Sequence, residues 1–189
     1  KFTVYNALTV LGIARQLGIS LEKCAETLTE VQGVKGRIEV VPTPGKDYSI
    51  LIDYAHTPDG LENVLSSVKD FCKGRVIGVF GCGGDREKEK RGEMGKIAAE
   101  YSDMVIVTSD NPRNEDPAEI IRDIVSAVKG TKTPIFIHQD RRKAIEFALK
   151  NAKENDIILL AGKGHETKQI VKGEEIPLDE RKIIKELLG

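Results

Sequence analysis

Met104-Val105-Ile106-Val107-Thr108-Ser109-Asp110-Asn111-Pro112-Arg113-Asn114-Glu115-Asp116-Pro117 holds the change of pattern on which the fold turns. Four consecutive apolar residues read as a strand buried on both faces. A polar loop follows, and a helical pattern begins at Ala118. The loop is stiff, because Pro112 and Pro117 fix their own φ and push Asn111 and Asp116 out of the helical region. Asp116 is the expected N-cap, with Pro117 at the first helical position. That leaves Asp110, Asn111 and Arg113 without a structural task. In an open parallel sheet, ligands bind beyond the carboxyl ends of the strands. A carboxylate, an amide and a guanidinium within four residues of a stiff strand-end loop therefore point to a binding site.

The same alternation extends along the chain. Strands are expected near 37–41, 48–53, 75–80, 104–108, 134–138 and 156–161, the first two joined across a Pro/Gly turn. Helices are expected over Pro58–Phe71 and near 91–101, 117–128, 140–151 and 179–188. Ile170 to Ile176, centred on Lys172-Gly173-Glu174, reads as a small hairpin. Runs such as Val76–Phe80 and Ile157–Leu160 suit an α/β fold, a mostly parallel sheet covered by helices on both faces. Ahead of it, apolar residues at 4, 7, 8, 11, 14 and 17 mark a helix stopped by Gly18, and Ser20 caps a second helix running to about Val31. Gly33-Val34-Lys35-Gly36 is hinge-like, so residues 1–35 and 36–189 are expected to be separate units.

The chain has 189 residues, 40% hydrophobic and 31% charged, with a net charge of -1. That balance, without a Lys/Arg block, argues against nucleic acid or an anionic membrane as main partner, and no apolar run approaches the roughly 18 residues of a membrane span. Cys24, Cys72 and Cys82 have no zinc-like spacing and no metal site is expected; free thiols in a reducing cytoplasm are the simplest setting. The chain opens on Lys1 and enters a helical pattern at once, as the C-terminal part of a longer protein would.

Three further strand-end loops are polar: Asp53-Tyr54-Ala55-His56-Thr57-Pro58, Gly81-Cys82-Gly83-Gly84-Asp85-Arg86 and Gly162-Lys163-Gly164-His165-Glu166. In the first, Thr57 is an expected N-cap with Pro58 after it, leaving Asp53 and His56 free, Asp53 for a ribose hydroxyl or a metal-bound water. The glycines of the other two are expected to let backbone approach a ligand. Taken alone, Lys163 is as readily a solvated charge and His165 a core histidine. GxGxxG would need glycine at 86, where Arg86 stands, which argues against a dinucleotide, and GxxxxGK[ST] occurs nowhere. Four such loops in one domain favour a shared cleft.

Together with Gly36-Arg37 and Asp110-Asn111-Pro112-Arg113, these motifs resemble the C-terminal part of the UDP-N-acetylmuramoyl-tripeptide synthetases of the Mur ligase family. The resemblance covers nearly the whole chain in order. It departs at Gly92, where the family often has proline, and at Asp179-Glu180, where it has an Asp-Asp pair. Residues 1–35, including Val4-Tyr5-Asn6-Ala7, resemble the end of the family's central ATPase domain, and 36–189 its Rossmann-like C-terminal domain.

The resemblance implies an ADP-forming ligase using ATP and Mg2+. Such an enzyme phosphorylates the D-glutamate carboxylate of UDP-MurNAc-L-Ala-D-Glu, and an amino acid then attacks the acyl phosphate. With Asp-Asn-Pro-Arg in place, that amino acid is meso-diaminopimelate; the alternatives are the L-lysine-adding homologue and a non-catalytic nucleotide-binding module. By resemblance, the site for meso-diaminopimelate comprises Arg86, Asp110, Asn111, Pro112, Arg113, Gly162 and Glu166. Arg113 with Asn111 holds the distal carboxylate, Glu166 and the Gly162 carbonyl take the distal ammonium, and Arg86 fixes the remaining carboxylate. Arg37, Asp53, His56 and Asn6 are the implied ATP contacts. No catalytic residue falls on these 189 positions, and the phosphates and Mg2+ are expected to be held mainly by upstream domains of the same enzyme.

Overall fold

The structure is a computed structural model that describes residues 2–30 and 33–189. It divides into two compact units, Lys1–Gly33 and Val34–Gly189. The first holds α1 (Phe2–Gln16) and α2 (Leu21–Glu30). Gly18 stops α1 with φ at 81°, its N–H donating to Arg15 and that of Ile19 to Ala14, and the Ser20 hydroxyl accepts from the Lys23 N–H. The expected end of α2 at Val31 lies outside the described residues.

The second unit is built on a six-stranded sheet in the order β1-β2-β6-β3-β4-β5. Its strands are β1 (Glu39–Val41), β2 (Ser49–Asp53), β3 (Val76–Phe80), β4 (Met104–Val107), β5 (Ile135–Ile137) and β6 (Ile157–Ala161). Only β1 is antiparallel to its neighbour. The helices are α3 (Pro58–Phe71), α4 (Glu89–Tyr101), α5 (Pro117–Ser126), α6 (Arg141–Asn151) and α7 (Glu180–Leu188), with the hairpin β7 (Lys168–Val171) and β8 (Glu174–Pro177) between β6 and α7.

The helices cover both faces because the strand residues are apolar in both directions. Leu51, Val76, Phe80, Val105 and Leu159 pack against Leu61, Leu65 and Val68 of α3, Met94 and Ala98 of α4, and Ile120 and Ile124 of α5. Their neighbours Ile50, Ile52, Ile77, Val79, Ile106 and Leu160 face Ala144, Ile145 and Ala148 of α6 and Ile183 and Ile184 of α7. Burying each large aliphatic side chain is worth about 1.5–3 kcal/mol, so this alternation dominates the stability of the unit. Thr57 and Asp116 cap α3 and α5 with proline at the helix start, as expected. No described helix is long and apolar enough to cross a membrane, and all three cysteines are unpaired.

The strand order itself positions the site. The chain passes from β2 over a vacant position to β3, continues outward to β4 and β5, and returns through α6 to place β6 between β2 and β3. The loops that follow β2, β3, β4 and β6 therefore converge at one edge, where the direction of winding reverses.

Candidate functional site

At that edge is a cavity of about 240 Å³ whose lining includes His56, Gly81, Arg86, Asp110, Asn111, Arg113, Gly162 and Glu166. All four polar strand-end loops contribute to it. Pro112 is buried just behind.

The loop after β4 owes its shape to neighbours on both sides. Arg113 has φ at 51°, a left-handed conformation uncommon for a side chain of that size. Its backbone is held there by the hairpin: the Arg113 N–H donates to the Ile170 carbonyl (3.0 Å), and the Lys172 N–H to the Arg113 carbonyl (2.6 Å). Gln169 reaches the Asp110 carbonyl, and the Ile170 N–H donates to Asn111 Oδ1 at 3.0 Å. On the opposite side, a Cβ on Gly84 would collide with the Pro112 carbonyl. Of the glycines expected to admit a ligand, Gly81 and Gly84 let the loops after β3 and β4 pack backbone to backbone. One Arg113 Nη1–H donates to the Gly84 carbonyl (2.7 Å), fixing the guanidinium while leaving other donors unused.

Lys163 is at the centre of the charged cluster. Contrary to a solvated charge, it is fully buried. Its ammonium donates to Asn111 Oδ1 (2.9 Å) and Glu166 Oε2 (2.8 Å), with Asp110 Oδ1 at 4.0 Å. Asn111 Nδ2 donates to the same Glu166 oxygen at 3.0 Å. Asn111 is accordingly bound up with Lys163, Glu166 and the hairpin, where the resemblance gave it a substrate carboxylate; one amide hydrogen remains. Burial, the largest single influence on Glu166, pushes its carboxyl pKa up, but the hydrogen bonds from Lys163 and Asn111 outweigh it and hold the carboxyl below its usual range. Gly162 has φ at 108° and lies so close to Asp110 that a Cβ would come within 2.6 Å of Oδ2. The result is an anionic wall of Asp110 and Glu166 facing the cationic groups Arg113 and Arg86.

Asp53 was expected to be free and is not. Oδ1 accepts from the Ala55 N–H and Oδ2 from the Ile38 N–H, both at 2.8 Å, and the side chain is buried. It pins the segment carrying Arg37, whose guanidinium lies over the Tyr54 ring at 5.2 Å. His56, assigned by resemblance to ATP, lines the same cavity as Arg113 and Glu166, with Nδ1 2.8 Å from the Tyr54 carbonyl. Asn6 is exposed on α1, in the other unit.

Arg91 was not singled out by sequence. It is buried beside the cavity and pairs with Glu115 (2.7 Å) and Asp123 (2.8 Å). Glu115 in turn accepts from the Asp85 N–H at 2.6 Å, tying the loop after β3 to the loop after β4. Cys82 lines the same cavity, and burial pushes its thiol up to about 12, so it is not a nucleophile at neutral pH.

Comparison with known proteins gives a consistent picture. The family model for the Mur ligase glutamate ligase domain matches residues 36–164. The chain is 52% identical over 188 residues to the UDP-N-acetylmuramoyl-L-alanyl-D-glutamate--2,6-diaminopimelate ligase of Caldanaerobacter subterraneus subsp. tengcongensis, covering 100% of this chain and 39% of that protein. It is 50% identical over 189 residues to the ligase of the same name from Clostridium perfringens, covering 100% and 38%. A solved structure of such a ligase matches with a TM-score of 0.78 at 35% identity, covering 99% of this chain and 38% of the other. The UDP-N-acetylmuramate-alanine ligase of Thermotoga maritima matches with a TM-score of 0.70 at 22% identity, over 99% and 37%, a likeness of fold alone. The chain spans about two fifths of the length of the relatives it matches.

Proposed function

The chain belongs to the Mur ligase family, and from that premise we propose that it is the amino-acid-presenting part of a cytoplasmic ligase that adds meso-diaminopimelate to UDP-MurNAc-L-Ala-D-Glu in peptidoglycan biosynthesis. In the full enzyme, the γ-phosphoryl group of ATP passes to the D-glutamate carboxylate and ADP departs. The amine of the incoming amino acid then attacks the acyl carbon, a C–N bond forms and phosphate leaves.

The observation that carries the reading is the pairing of opposite charges across one small cavity. The distal end of meso-diaminopimelate combines a carboxylate with an ammonium. Arg113 offers a fixed planar fork for the first, and Glu166 with the Gly162 carbonyl offers acceptors for the second. Arg86 takes the remaining carboxylate. L-lysine has no distal carboxylate and would leave the Arg113 charge unpaired, which disfavours the lysine-adding alternative.

Arg37 and Asn6 are the ATP contacts in this reading, with Asp53 fixing the backbone beside Arg37. Mur ligases use ATP and Mg2+. Among the described residues, no group of three or more His, Cys, Asp or Glu side chains converges on a metal position, and no residue of this chain is assigned a part in holding the ion. A titration of the full-length enzyme with meso-diaminopimelate and with L-lysine tests the proposal: selective binding of the former is expected, and equal or reversed preference would refute it.

A further inference from the structure

The proposed substrate contacts account for Glu166 and Arg113 but leave a fully buried lysine unexplained. Lys163 has no exposed surface and is enclosed by Asp110, Asn111 and Glu166. Burying an ammonium is costly unless its charge and donors are matched. Here they are more than matched, since one cation sits among two carboxylates. The cluster carries a formal charge of about -1, counting carboxylates and ammonium as ionised at neutral pH, and one further cation would neutralise it.

The hydrogen bonds also fix which atom meets that cation. Asn111 Oδ1 accepts from Lys163 and from the Ile170 N–H, filling both lone pairs. The amide can therefore only turn its Nδ2 toward Glu166. Glu166 Oε2 then accepts twice, from Lys163 and Asn111. Oε1 accepts no hydrogen bond from the described residues, and Glu166 lines the cavity.

We propose that Lys163 is the positioning residue of the amino-acid site: it orients the Asn111 amide and holds Glu166 ionised, so that Oε1 alone faces the substrate ammonium. This rests on the function proposed above. The charged and titratable groups around Glu166 and its cavity are Lys163 and His165 from its own loop, Asp110 and Arg113 after β4, Cys82, Arg86 and Glu87 after β3, Tyr54 and His56 after β2, and Lys90 and Arg91 on α4. All except Lys163 are kept in a Lys163→Met variant, so a change in the titration of Glu166 is attributable to it.

The experiment uses the full-length ligase with ATP and UDP-MurNAc-L-Ala-D-Glu saturating. Lys163→Met is expected to raise the KM for meso-diaminopimelate by about 30-fold or more, the lower end for truncating one partner of a buried charge pair, while the KM for ATP stays unchanged. The acid limb of kcat/KM for meso-diaminopimelate should move to higher pH, because Glu166 without its ammonium partner protonates more readily. A purely structural lysine would not move that limb. A folded variant with the wild-type KM and an unshifted limb overturns the inference. Should the variant not fold, 13C titration of the Glu166 carboxyl in the wild-type enzyme decides: a value below the ordinary glutamate range supports the proposal, and an ordinary value overturns it. A wild-type enzyme that does not use meso-diaminopimelate refutes the functional reading itself, and is distinguished from failure of the Lys163 assignment by that wild-type control.

Discussion

The two edges of the sheet both carry carboxylates paired with cations, yet they differ in what is left over. At the amino edge, Asp156, just before β6, accepts from the Arg75 N–H and Nε through Oδ1 and from Arg75 Nη2 and the Lys153 N–H through Oδ2. Asp103, just before β4, likewise has both oxygens engaged, by Lys69 and the Val76 N–H. At the carboxyl edge, among the described residues, Glu166 keeps one oxygen open and Arg113 keeps donors unused. Charge pairing alone does not separate a brace from a binding site. Unfilled hydrogen-bonding capacity, directed into a cavity, does.

That distinction can be broken most decisively at Arg113. In the full-length ligase, Arg113→Ala should cost about 2–5 kcal/mol in kcat/KM for meso-diaminopimelate, the range for removing one member of a buried charge pair, without changing the KM for ATP. Wild-type kcat/KM would show that the open donors bind nothing.

The closed edge should respond in stability instead. For Asp156, burial pushes the pKa up, but the hydrogen bonds from Arg75 and the two backbone N–H groups prevail and the folded value lies below the ordinary one. A group depressed in this way contributes stability above its unfolded pKa and loses it as pH falls through the folded value. Asp156→Asn should therefore lower the unfolding free energy by about 2 kcal/mol at neutral pH, since the Arg75 side is partly solvated, and should flatten the acid-side decline in urea midpoints. Kinetic constants should stay put; a raised KM would mean that the amino edge is not merely a brace.

Arg37 sharpens the comparison at its smallest scale. Its guanidinium stacks on Tyr54 and makes no hydrogen bond among the described residues. Arg37→Ala should change stability by less than about 0.5 kcal/mol, as for most exposed substitutions, and raise the KM for ATP severalfold. A larger effect on the KM for the amino acid would refute an ATP contact at Arg37.

Much of this was legible in the sequence, for identifiable reasons. Strands buried on both faces leave unbroken apolar runs, and Thr57-Pro58 and Asp116-Pro117 announce helix starts through chemistry confined to neighbouring residues. That Arg113, Arg86 and Glu166 share one cavity was legible because polar loops at parallel strand ends converge. Lys163 was not, because a lysine between two glycines looks solvated, and its burial depends on Asp110 and Asn111, more than fifty positions away in sequence. Asp53 was misjudged as free for a similar reason: one of its partners, the Ile38 N–H, belongs to the segment ahead of β1. The insertion of β6 between β2 and β3 has no local signature at all.

That insertion also sets a timetable. The strand that completes the middle of the sheet is the last of the six to leave the ribosome, so β2 and β3 wait with open edges until residues 157–161 arrive. Glu166 follows β6 by five residues. A nascent chain stopped before Ile157 would hold Arg113, Arg86 and Asp110 but neither the central strand nor Lys163 and Glu166. Completion of the core and closure of the cavity between the strand-end loops therefore coincide late in synthesis.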